Sequence, residues 1–176
     1  MTTVRQGDCV FSVDVENTEK YYAAQALCDC PYCRNYYAQI ASALPQLSAF
    51  LLVFGADALR PDEVSSIEVG DHIVYLCVDY TVCGKIDAMP QNETDICGGP
   101  PIHVAFTDGF VSPNTQTDAY FTISVTDLSL PWVLDEPFPT AARKRSLKKI
   151  KGLFRKIGKT CKSASPLREV LFCSIP

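Results

Sequence analysis

Apolar and polar residues alternate over residues 9–15, placing Phe11, Val13 and Val15 on one face, and this predicts a first strand. The period then lengthens. Asn17 or Thr18 is placed to cap a helix of two turns over residues 19–27, and Glu19 suits the positive end of its dipole. Residues 34–44 predict a second helix. Pro45 opens a third over residues 45–54, where Leu47, Phe50, Leu51 and Phe54 recur at i, i+3, i+4 and i+7, and Gly55 is suited to end it. Arg60-Pro61-Asp62 is a break.

Beyond residue 65 the pattern is that of strands. Gly70-Asp71 turns the chain between residues 67–69 and the run 72–80, which is almost wholly apolar and suits a strand covered on both faces. Thr81-Val82-Cys83 either prolongs that strand past a kink or starts another, with Gly84 permitting a bulge. Residues 88–101 read as a loop. Asp108-Gly109 supplies the turn of a hairpin between residues 102–107 and Phe110-Val111. In residues 120–126 Phe121, Ile123 and Val125 alternate with Thr122, Ser124 and Thr126. Trp132 is expected against the core, and Pro137 and Pro139 close the domain. Helices gathered at the front and hairpins behind predict an α+β fold, not a parallel α/β one: N-terminal helices on an antiparallel sheet of five or six strands.

Charge divides the chain. Residues 1–142 carry 19 acidic and 5 basic side chains, and residues 143–176 carry 11 basic and 1 acidic. We therefore expect a globular domain over residues 1–140 and a basic tail over residues 141–176. In the tail Leu147, Ile150, Leu153, Phe154 and Ile157 fall at helical spacing, although Gly152 and Gly158 weaken a helix by about 1 kcal/mol each. Such a tail samples the acidic body or lies on an anionic membrane surface. The body repels phosphate backbones, which argues against nucleic acid as its partner and for a basic protein. The close acidic pairs Asp14 and Glu16, Asp62 and Glu63, and Asp135 and Glu136 read as solvated surface.

Nothing in the chain approaches the ~20 apolar residues of a membrane span, and residues 1–10 lack the basic start and apolar run of a secretory signal. A cytoplasmic location with reduced thiols is the expectation, and nine cysteines, an odd number, do not close a disulfide framework.

Three of those cysteines, Cys28, Cys30 and Cys33, fall within six residues, with Pro31 where a helix can begin and Tyr36, Tyr37 and Ile40 at helical spacing behind it. Three chemistries compete. Cys28 and Cys30 project to one side of an extended segment and Cys33 can fold back to them, giving three thiolates for a structural zinc, whose fourth ligand would be Cys97, Cys83, His72 or His103. Cys30 and Cys33 as a dithiol would make a thiol–disulfide oxidoreductase, against which stands the neighbouring Asp29. As small hydrophobes, the three would only pack a helix start on the sheet. His72 and His103, lying in or beside apolar strands, fit structural roles. No serine or cysteine stands at a spacing from histidine that suggests a nucleophile, and no glycine-rich phosphate loop occurs. A non-catalytic domain acting through a protein partner is the reading of the whole.

The run Cys28-Asp29-Cys30-Pro31-Tyr32-Cys33-Arg34-Asn35 resembles a group of small uncharacterised bacterial proteins that share a Cys-Asp-Cys-x-Tyr-Cys-Arg-Asn start, a resemblance that extends over residues 11–63 and implies no function. Cys30-Pro31-Tyr32-Cys33 is also similar to the active-site tetrapeptide of glutaredoxins. That likeness stops at four residues: residues 22–29 read as helix and turn where the glutaredoxin fold has a buried strand, and Thr81-Val82 is followed by Cys83 where it has proline.

Overall fold

The computed structural model describes residues 1–89, 93–95, 102–109, 119–139 and 171–174. Its framework is β4 (His72–Ala88), a strand of 17 residues. Along one edge β4 pairs with β7 (Tyr120–Pro131) over nearly its whole length, from His72↔Pro131 to Cys83↔Tyr120. Along the other edge two strands share it: β3 (Glu63–Val69) takes the first half and β2 (Cys9–Val13) the second. A hairpin partner, β1 (Thr2–Gln6), flanks β2, while β6 (His103–Asp108) flanks β7 and β5 (Glu93–Asp95) flanks β6. The sheet is antiparallel, a six-strand path β1-β2-β4-β7-β6-β5, with β3 and a last strand, β8 (Leu171–Ser174), off that path.

Everything between β2 and β3 is helical insertion: α1 (Val15–Ala24), α2 (Pro31–Tyr37), α3 (Ile40–Ala43) and α4 (Pro45–Leu52). The insertion enters and leaves at the gap between β2 and β3 on the β4 edge, where the strand's backbone groups would otherwise lack partners. Side chains satisfy them. Thr18 accepts the Cys83 N–H at 3.0 Å and donates to the Asp14 carbonyl at 2.9 Å. The Tyr22 hydroxyl donates to the Thr81 carbonyl at 2.9 Å, and Asp62 accepts the Thr81 N–H at 2.7 Å. Buried backbone donors and acceptors are almost always paired, and here α1 and Asp62 stand in for a missing strand.

Several sequence expectations shift. The cap of α1 is Asp14, whose carboxylate accepts the Asn17 N–H at 3.1 Å, so the helix starts earlier than predicted and Thr18 faces inward. The single helix predicted over residues 34–44 is two, broken at Gln39 (φ −136°), whose side-chain amide donates to the Asn35 and Pro131 carbonyls. Residues 72–88 form one strand passing through Gly84 at φ +147°. β6 pairs directly with β7 at Asp108↔Phe121; Phe110 and Val111, the predicted second arm, lie outside the described residues. So does the tail apart from β8, which pairs with β3 from Glu63↔Ser174 to Ser66↔Leu171.

Phe11, Phe54, Phe106 and Phe121 meet at the centre, with ring centroids 4.7 to 6.4 Å apart. Phe54, from the turn after α4, thus touches side chains of β2, β6 and β7. Trp132 packs partly against the core and edge-on to Phe138, with its indole N–H on the Glu136 carbonyl at 2.9 Å.

Candidate metal centre

Residues 25–29 descend from the end of α1 to the start of α2. Arg60 fixes the upper end, its guanidinium donating to the Gln25 carbonyl at 2.6 Å and the Tyr22 carbonyl at 3.3 Å, the bonds a cation makes to the open carbonyls of a helix end. Pro31 then occupies the first helical position, where its missing N–H costs nothing. Cys30 precedes it as the cap, its sulfur 3.5 Å from the Cys33 N–H and its carbonyl accepting the Arg34 N–H at 3.0 Å.

The helix that follows is anchored to the sheet by polar bonds. Asn35, fully buried, donates to the Tyr75 hydroxyl and the Pro131 carbonyl, both at 3.1 Å, and accepts the Val133 N–H at 2.9 Å. Tyr36 and Tyr80 join their hydroxyls at 2.5 Å, and the Tyr80 hydroxyl donates to the Ala58 carbonyl at 3.0 Å. Tyr75 donates to the Tyr32 carbonyl at 2.9 Å, and the Tyr32 hydroxyl donates to Glu68 at 2.7 Å. These bonds leave α2 little freedom to rotate.

On this base the sulfurs of Cys28, Cys30 and Cys33 all lie within 4.8 Å of one another. Cys33 is completely buried; Cys28 and Cys30 are part-exposed. Sulfurs sharing one tetrahedral zinc at Zn–S ~2.3 Å stand ~3.8 Å apart, so small side-chain rotations bring all three onto one ion. In a [4Fe–4S] cluster each thiolate takes a different iron, which calls for a wider spacing than around one ion. Three soft donors, one of them shielded from water, are a donor set suited to zinc or another thiophilic ion.

Three of the four predicted fourth ligands, His72, His103 and Cys83, are not brought here. Among the described residues, no further histidine, cysteine, aspartate or glutamate joins the three. His72 turns to Asp71 at 2.7 Å, His103 is exposed on β6, and Cys83 sits on the β4 edge beside Thr18. Cys97 lies outside the described residues. Arg34, the nearest cation in sequence, is held by Glu136 and by Asp29 at 3.3 Å. Two thiols elsewhere are chemically quiet: burial, then Asp79, pushes Cys77 up to about 12, and burial also raises Cys83.

Two tyrosines wall the cluster. Burial raises both Tyr37 and Tyr75 well above the ordinary phenol range, with the charge of Cys33 adding to each. Tyr37 appeared in the sequence only as part of an apolar stripe; its i,i+4 relation to Cys33 was the available signal. A separate cleft of about 550 Å³ opens between α1, α4 and residues 55–60. Exposed Leu52 and Leu59 line it, together with Glu19, Asp57 and Arg60.

The chain matches no family model, no curated protein and no solved structure. No helix among the described residues is long and apolar enough to cross a membrane.

Proposed function

We propose that this protein is a non-catalytic, metal-stapled module: Cys28, Cys30 and Cys33 hold one structural zinc ion, and the domain so fixed works through a protein partner. The observation that carries the reading is the convergence of three sulfurs within 4.8 Å on a segment that is extended at Cys30 and helical at Cys33. An ion there ties residues 28–30 to α2 and stabilises the fold by mass action, because the unfolded chain does not present the three thiolates together. The excess of acid over base in residues 1–142 supports a basic partner, and the cleft with exposed Leu52 and Leu59 beside Glu19 and Asp57 offers such a partner both apolar and acidic contacts.

Elemental analysis of protein purified under reducing conditions tests the metal. We expect one zinc per chain, absent from Cys33→Ser, and a melting temperature that falls when a strong chelator is added to the wild type but not to the variant. Zinc-free protein that also fails to compete with a micromolar-affinity zinc indicator overturns the reading.

The asymmetry between part-exposed Cys30 and buried Cys33 favours one alternative, a dithiol in which Cys30 attacks a substrate disulfide and Cys33 resolves it. In that case Cys30 and Cys33 become oxidised as the substrate disulfide is reduced to two thiols, and chelators leave both stability and thiol reactivity unchanged.

A further inference from the structure

Tyr37 follows Cys33 by four residues on α2, which puts both side chains on one face of the helix. Its ring is steadied edge-on by Tyr36, with centroids 6.2 Å apart. The hydroxyl oxygen is buried and completes no hydrogen bond with a described group, yet it lies close enough to the Cys33 thiol and to Cys28 for both to act on its ionisation. Tyr75 approaches the same sulfurs from the sheet, but its oxygen is committed: it donates to the Tyr32 carbonyl and accepts from Asn35. Of the two phenols at the cluster, Tyr37 is the one whose hydroxyl is set toward the Cys33 sulfur.

A neutral thiol is a weak acceptor and a thiolate a strong one, because hydrogen bonds to charged acceptors are roughly twice as strong as neutral ones. Metal binding makes that conversion at Cys33. We propose that Tyr37 is a positioning residue of the metal centre, donating its hydroxyl proton to the metal-bound Cys33 sulfur. The inference rests on the metal reading above. The bond would fix the rotamer of Cys33, draw charge from its sulfur and resist its protonation, as outer partners of metal ligands do.

Cobalt(II) substitution and zinc competition on the full chain test it, with Tyr37→Phe as the probe and Tyr75→Phe as the control. Tyr37→Phe should bind zinc with unchanged stoichiometry and ~10–100-fold lower affinity. The sulfur-to-cobalt charge-transfer band should move to lower energy as the thiolate regains charge, while the d–d bands keep their tetrahedral intensity. Tyr75→Phe should lower the unfolding midpoint and leave the charge-transfer band in place. A Tyr37→Phe variant with wild-type affinity and an unmoved band overturns the assignment of Tyr37 alone, and so does a change in the d–d bands, which would make Tyr37 a ligand. A wild-type chain that takes up neither cobalt nor zinc overturns the metal reading and this inference with it.

Discussion

Asp62 is 5% exposed and accepts from the Thr81 N–H, the Tyr21 hydroxyl and the Gln25 side-chain amide at 3.1 Å. In the sequence it stands beside Glu63 as one of several acidic pairs and reads as solvated surface. The structure overturns that reading, because three donors that converge on it come from positions far along the chain. Asp62→Ala strands the Thr81 N–H in the interior and should cost ~1–3 kcal/mol in urea denaturation; Asp62→Asn, which keeps an acceptor, should cost less. Burial raises the Asp62 pKa, against the opposing pull of its hydrogen bonds to Tyr21 and Thr81. The folded state therefore holds this proton more tightly than the unfolded one, so the group's contribution to stability falls as pH rises. Stability of the wild type relative to Asp62→Asn should be greatest below the unfolded carboxylate value of about 4 and decline as pH passes upward through the raised folded value. A difference that grows with pH over this window would show Asp62 to be stabilised as the anion.

At the scale of elements, legibility followed burial pattern. β2, β4 and β7 could be read because each carries a run of inward apolar residues, such as Phe121, Ile123 and Val125. β1 could not, since only Val4 of its five residues is buried and the strand exists by pairing with β2. The cysteine triad was legible because its geometry is local, set by Cys28, Cys30 and Cys33 on one turn; which residues stand near it across the sheet was not, and three of the four suggested fourth ligands prove to lie elsewhere. Gly84 was read as a bulge position and has a sharper role. A Cβ there would stand 2.2 Å from the Ser12 carbonyl oxygen and 3.0 Å from the Val13 Cα, at a φ of +147°. β2 crosses so close to β4 that no side chain fits between them. Gly84→Ala should destabilise by at least ~2 kcal/mol, since backbone strain alone accounts for 1–3 kcal/mol, as measured by thermal or denaturant unfolding. An alanine variant as stable as the wild type would mean that the two strands separate easily at this point.

Over the whole molecule, the split edge of β4 joins the parts. Two strands and a helical insertion meet on it, and those strands, β2 and β3, are separated in sequence by the insertion they flank. Antiparallel pairing alternates along a strand, so residues 80, 82 and 84 face β7, whereas 79, 81 and 83 face the insertion; the Gly84 N–H on the Ala119 carbonyl and the Asp62 N–H on the Asp79 carbonyl fit that alternation. Neighbouring amides on one strand are thereby held by different bodies of structure. In deuterated solvent, the Tyr80 and Val82 amides should exchange only when the sheet opens. Those of Thr81 and Cys83, bound by the Asp62 carboxylate and the Thr18 hydroxyl, are released whenever the insertion lifts from the edge. We expect the second pair to exchange faster by residue-resolved mass spectrometry or NMR, and equal rates would mean that insertion and sheet open as one. Because α2 belongs to the insertion, a metal ion on Cys28, Cys30 and Cys33 should slow Thr81 and Cys83 selectively, and these two amides would then report at a distance on occupancy of the centre.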